Sequence, residues 1–214
     1  KDRTAIWDIV WTGYAEWSSG GGTGGEVTPP VTDPTPGSGS EQWLELPAVR
    51  TDNSYPNATV YTVSVDGERN YTHYYDTDTY TSLWVAYPLE ARHMGNESRP
   101  SSWSYHPDID QAYQVDLRSK SYNDDYARGH LIPNGSRDGI KEMQKQTFYV
   151  TNSVPQLQNR FNGSIWNSLE NAVQAKAATS TLYIVTGAAF QKEGETKQTI
   201  TYTTAQNDTK QVPV

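Results

Sequence analysis

The stretch that decides how this chain is read is YARGHLIPNGSR, Tyr126 to Arg137. It holds His130, one of only four histidines, next to Gly129, with Arg128 before it and Arg137 after it. Both arginines disfavour a protonated imidazole, because like charges depress its pKa. A neutral imidazole is what a general base has to be at about pH 7. Gly129 permits a sharp backbone turn, and Pro133 with Asn134-Gly135 supplies a second. The expectation is a loop that presents His130 between strand-like segments, so that it reaches a water beside an anionic substrate held by the arginines. A histidine alone is more often a surface or structural residue; here the arginines and turns are what single it out.

Outward from this stretch, the pattern is one of strands with a single strong helix. ATVYTVSV (58–65) alternates as a strand does, and DGERN (66–70) carries a hairpin turn. SLWVAYPL (82–89) reads as a buried strand, and QTFYVTNSVPQ (146–156) as a strand running into a turn. TLYIVTGAAF (181–190) and QTITYTT (198–204) are further strands. In GSIWNSLENAVQAKAA (163–178), Ile165, Trp166, Leu169, Val173 and Ala177 fall on one helical stripe. This order predicts an α+β fold with a central, mainly antiparallel sheet and flanking helices. Ahead of it, SSGGGTGGEVTPPVTDPTPGSGS (18–40) reads as a linker too polar to fold. It separates an aromatic segment of unknown role (1–17) from a domain over 41–214.

Composition narrows the chemistry. With 214 residues the domain can bury a core without a metal or disulfide staple. The absence of cysteine excludes disulfides, thiolate metal sites and cysteine nucleophiles. No apolar run approaches the ~18 residues a membrane span needs. The net charge is −8, but residues 1–90 carry 13 acidic and 4 basic side chains, whereas residues 91–145 carry 8 of each. The region around His130 is therefore neutral, which neither supports nor bars a polyanionic partner. The chain starts at Lys1 without a leader, so a processed or trimmed chain is expected.

A second element is QNRFNGSIWNSLE, Gln158 to Glu170. Asn162 stands where a helix N-cap would be, and Glu170 where a solvated helix residue would be. If both are helical they lie ~12 Å apart along the axis and ~80° around it, too far for both to ligate one ion directly. One direct ligand with one carboxylate acting through water suits Mg²⁺, which keeps much of its hydration. Cap and ligand remain alternatives for Asn162, as do solvated side chain and outer-sphere carboxylate for Glu170.

On these residues the chain resembles the DNA/RNA non-specific endonucleases, the ββα-metal or His-Me finger nucleases. Tyr126–Arg137 is similar to their Asp-Arg-Gly-His loop, and FYVTNSVPQ to their strand ending in Thr-Asn-x-x-Pro-Gln. Asn162 to Glu170 has the spacing of their metal-binding helix, and LYIVTGAAF is similar to the strand that follows. LELPAV resembles the usual domain start, and RPSSW (99–103) the segment with a further active-site arginine. The resemblance runs from Glu45 to Val214 and rests on four ordered motifs.

The resemblance implies the ββα-metal fold and a set of roles. His130 matches the general base, Asn162 the single protein ligand to Mg²⁺ (with Mn²⁺ as a substitute), and Glu170 the carboxylate that orients the hydrated ion. Arg99, Arg128 and Arg137 match arginines beside the scissile phosphate. The implied reaction is sequence-independent hydrolysis of DNA and RNA to 5′-phosphate ends. Apart from the resemblance, the linker reads as a spacer, and the expectation is a secreted, periplasmic or cell-surface protein with a lipid or surface tether upstream of it. Two positions depart from the pattern. Ala127 stands where Asp is usual, and the chain stops at QVPV, where relatives continue, so the C-terminal part of the fold is expected to be missing. The alternatives are a catalytically inactive nucleic-acid or glycan binding module on the same scaffold, and a metal-dependent phosphatase.

Overall fold

The computed structural model describes residues 45–47, 49, 53–190, 196–203 and 209–214. The aromatic segment 1–17, the linker 18–40 and part of the domain start lie outside the described residues.

Strands β1 (Ala58–Val65), β2 (Glu68–Asp76) and β3 (Thr81–Leu89) form a meander. Asp66 and Gly67 join the first two strands with φ of 50° and 84°. Positive φ at both central residues is the hairpin turn whose twist suits the strands, and Asp-Gly favours it. At the next turn the Asp76 carboxylate accepts from the Thr79 N–H at 3.0 Å and from its hydroxyl at 2.7 Å. The sheet is completed by β6 (Leu182–Gly187), antiparallel to β3, in the order β1-β2-β3-β6.

A separate antiparallel ribbon pairs β4 (Tyr126–His130) with β5 (Ser153–Leu157). A hairpin of β7 (Thr199–Thr203) and β8 (Thr209–Pro213) follows later in the chain. The short helix α1 (Lys141–Gln146) precedes β5. A wide π-helical segment (Gln158–Trp166) runs directly into α2 (Asn167–Ala177). The architecture is α+β with an antiparallel main sheet, as the order of elements predicts.

Two apolar clusters flank the ribbon. The first gathers Tyr71, Val85, Tyr87 and Leu89 of the sheet with Leu131, Ile132, Val154 and Ala177. The second gathers Trp103, Val115, Leu117, Tyr122, Phe148 and Val150 with Tyr202 and Val212 of the β7–β8 hairpin. The strand β4 lies between them.

Five sequence expectations about local structure need correction. The His130 segment is a paired strand, not a loop. Gly129 does not turn the chain; a Cβ there would sit 2.2 Å from the side chain of Gln156, so glycine is required by close packing across the ribbon. Residues 146–152 are not strand: α1 ends and a 3₁₀ turn (Val150–Asn152) intervenes before β5. Asn162 is not an N-cap, because helical backbone begins at Gln158. The helical stripe also breaks at its start. Ala177 is buried, whereas Ile165 is 64% exposed. A π turn carries an extra residue, which shifts the phase of everything before α2.

Candidate active site

Alternation along β4 sorts the motif into two faces. Arg128 and His130 point to one side, Ala127 and Gly129 to the other. On the Arg128 side the pairing partners are Pro155 and Ser153, and on the Ala127 side Gln156 and Val154. Leu131 N–H donates to Asn152 O at 3.0 Å just beyond the ribbon. The alternation of an antiparallel ladder then makes His130/Ser153 and Arg128/Pro155 non-hydrogen-bonded pairs. Proline, with no N–H to donate, is tolerated opposite Arg128 for that reason.

His130 is buried and aromatic on two sides. Its ring centre lies 4.6 Å from that of Trp103 and 5.0 Å from that of Phe148. The same rings carry cations: the Arg128 guanidinium lies 5.3 Å from the Trp103 centroid, and that of Arg99 lies 5.1 Å from the Phe148 centroid. Arg128 is half-buried and donates to Leu117 O at 2.7 Å, while Arg99 is exposed. Burial, then Arg99 and Arg128, push the His130 imidazole down to about 3. Burial lowers Arg128 as well, with Arg99 adding to it. The imidazole is neutral, as the sequence suggests, but its burial contributes most and Arg99 stands where Arg137 was expected.

Arg137 belongs to the core. It is fully buried, and its guanidinium donates to Asn70 Oδ1 at 2.5 Å, Ser136 O at 2.7 Å, and Asn70 O and Pro88 O, both at 2.8 Å. It also packs on Tyr87, 5.2 Å from the ring centre. With its donors used on β2 and β3, this side chain ties the end of the motif to the main sheet and does not reach a phosphate.

Asn162 and Glu170 come from the helix that packs against β4 and β5. The Asn162 amide N–H donates to Gln158 Oε1 at 3.0 Å, which leaves its Oδ1 free and partly exposed. Burial raises Glu170 to about 7, opposed by the nearby Trp166 indole and by Arg99. The buried Trp166 N–H acts on Glu170 as a nearby donor that favours the ionised carboxylate.

Among the described residues no three His, Cys, Asp or Glu side chains converge on one point. These residues offer no cage for a metal stripped of its water. A hydrated divalent cation, taking one amide oxygen from Asn162 and facing Glu170 through water, fits the donors present.

Thus Arg99, Arg128 and His130 share one aromatic platform, with Glu170 within electrostatic reach of Arg99. The residues that sequence reading missed are the platform itself, Trp103 and Phe148, and Asn152. The Asn152 side chain accepts from Ile132 N–H at 3.0 Å and donates to Ile132 O at 3.0 Å and Thr147 O at 2.8 Å, bracing the chain after His130. The RPSSW segment did contain Trp103, but spacing alone does not say which ring a distant histidine meets.

The family model of the DNA/RNA non-specific endonucleases matches residues 53–214. The chain is 28% identical over 147 residues to the mitochondrial nuclease EXOG of Danio rerio, covering 65% of this chain and 41% of that protein. It is 28% identical over 122 residues to mitochondrial endonuclease G of Bos taurus, covering 54% and 39%. It is 30% identical over 111 residues to nuclease C1 of Cunninghamella echinulata var. echinulata, covering 50% and 44%. The chain thus spans about two fifths of the length of these curated relatives. The crystal structure of an EndoG/EndoGI complex shares the fold, with a TM-score of 0.52 at 21% identity over 71% of this chain and 63% of that one.

Proposed function

The chain belongs to the DNA/RNA non-specific endonuclease family, and from that premise we propose that it hydrolyses phosphodiester bonds of DNA and RNA with His130 as general base and a hydrated Mg²⁺ held at Asn162. The observation that carries this reading is a buried, neutral imidazole set beside two cations on one aromatic platform.

His130 takes a proton from the attacking water. At about 3 its imidazole would be a weak base, since a base works best when its pKa lies near the working pH. The substrate offsets part of this: a bound phosphate counters the charge of Arg99 and Arg128, the influences second to burial, and so raises the imidazole. The base therefore strengthens when the phosphate is in place. Arg99 and Arg128 hold the phosphate and offset the charge that builds on it, and a guanidinium suits that bidentate task. When bound, a divalent cation at Asn162 supplies charge neutralisation at the departing oxygen. Glu170 orients water around that position once ionised. Every group acts on the sugar–phosphate backbone, so no base sequence is read.

The test is cleavage of plasmid DNA and of a single-stranded RNA with Mg²⁺, with and without EDTA, beside His130→Ala. Loss of cleavage in EDTA and in the variant supports the proposal. Binding without cleavage by the wild-type chain would replace it with the inactive-module reading, and hydrolysis of small phosphomonoesters alone with the phosphatase reading.

A further inference from the structure

The proposed mechanism leaves one proton unassigned. His130 has two ring nitrogens, and Nε2 is the one buried without a hydrogen-bond partner. Solvent and substrate therefore meet Nδ1. If Nδ1 is to accept a proton, its lone pair must be bare, and the ring's own proton must sit on Nε2. A buried N–H with no acceptor is costly, about 1–3 kcal/mol, and would push the proton back to Nδ1, the nitrogen that has to be free.

A matching acceptor is present. Ser153 lies directly opposite His130 across the β4–β5 ribbon. The two form a non-hydrogen-bonded pair, so their Cβ atoms are ~4.5–5.5 Å apart on one face. The Ser153 hydroxyl is itself buried and has no partner. Its backbone carbonyl is already used, accepting from the Tyr122 hydroxyl at 3.1 Å. The Gln156 Oε1 atom is also buried and unpartnered, but it sits on the opposite face, beside Gly129. Two buried, orphaned polar groups of complementary character thus lie on one face of the ribbon, directly across from each other.

We infer that Ser153 is a positioning residue for His130: its Oγ accepts the Nε2–H, directly or through one buried water, and so holds the bare lone pair on Nδ1. Rotation about χ1 of Ser153 closes the direct bond, and a water with polar partners on both sides closes the bridged one. This inference rests on the base role proposed for His130, but its readout does not.

The experiment uses the whole chain labelled with ¹⁵N-histidine. Long-range ¹H–¹⁵N spectra report which nitrogen of each imidazole carries the proton, and His130→Gln assigns the signal. The expected result is the Nε2–H form in wild type. In Ser153→Ala the tautomer ratio shifts by about tenfold toward Nδ1–H, the worth of one hydrogen bond, and Ser153→Thr restores it. Turnover falls in Ser153→Ala with KM unchanged. Should Ser153→Ala not fold, Ser153→Cys is read in the same way.

A wild-type ring protonated at Nδ1, or an unchanged ratio in Ser153→Ala, overturns the inference. So does a shift caused by Thr151→Val alone, since Thr151 offers another buried, unpartnered hydroxyl. A tautomer shift in a chain that cleaves nothing keeps the Ser153 assignment and removes the nuclease reading. His130-dependent cleavage with no shift does the reverse.

Discussion

The imidazole of His130 and the indole of Trp103 lie ring against ring, 4.6 Å apart and inclined by 46°. Trp103 also carries Arg128 on its face, so one side chain orders both the base and its neighbouring cation. Trp103→Ala is expected to cost about 3 kcal/mol of stability, as removal of a buried aromatic does. It also admits water to His130, so the imidazole moves up from about 3 toward its ordinary 6.5. Trp103→Phe retains most of both. NMR titration of the His130 ring checks this; an unmoved titration in Trp103→Ala would refute the platform.

Arg137 gives the opposite test, because its placement predicts a stability effect and no direct effect on substrate. Arg137→Met leaves Asn70 and three carbonyl groups without their donors, in a region closed to water. The expected loss is about 3–5 kcal/mol, seen as a melting temperature lower by ~10 °C. Below that temperature KM for nucleic acid stays within about twofold of wild type, since the contact removed is not to phosphate. A large rise in KM with an unchanged melting temperature would return Arg137 to the phosphate.

These two arginine environments show where sequence reading reaches and where it stops. Period and turn chemistry predict the strands: alternation in 58–65 and Asp-Gly at 66–67 are local signals, and β1 and β2 follow them. Residue type and spacing single out His130, Arg128 and Asn162 as candidates. Nothing local separates Arg128 from Arg137, because what does so is the distant partner each meets, Leu117 O for one and Asn70 with Pro88 O for the other. The π turn was also invisible, as its signal is a missing register rather than a residue. Ala127 illustrates the same limit: the departure from the family pattern falls on the face of β4 turned away from Arg128 and His130.

Asn162→Ala tests the ligand role directly, because no capping role remains to be lost. Its side chain makes one hydrogen bond, to the exposed Gln158, and caps no helix. The melting temperature should therefore move by no more than ~0.5 kcal/mol would produce. Cleavage instead requires far more Mg²⁺, measured as the concentration giving half-maximal rate. An unfolded variant, or one with an unchanged Mg²⁺ requirement, contradicts the assignment.

The histidines also predict a direction for stability with pH. Burial is the largest influence on all four. It takes His93 and His106 down to about 4 and His130 to about 3, and holds His73 well below its ordinary 6.5. Neighbouring charges modify this: Arg137 and Arg92 lower His93 further, Glu90 and Glu68 raise it, and Asp108 raises His106. The hydrogen bonds agree with neutral rings. Ser82 gives its hydroxyl proton to Thr151 O at 2.7 Å, so His73 Nδ1 must donate to Ser82 Oγ at 2.9 Å. His106 Nδ1 accepts from Asp108 N–H at 3.2 Å. With folded values below the unfolded one, the unfolded chain binds protons that the folded chain refuses. The stability these rings contribute is thus full above about 6.5 and is lost as the pH falls from there toward 4. Glu170 opposes this, since its value is raised to about 7 and its contribution is lost as the pH rises from 4.5 to 7. One carboxylate against four histidines leaves the net slope downward on acidification. Urea midpoints measured at pH 8, 7, 6 and 5 should be level at first and then fall, and His106→Gln should flatten part of the fall. A midpoint that rises between pH 7 and pH 5 would show that these rings are not held neutral.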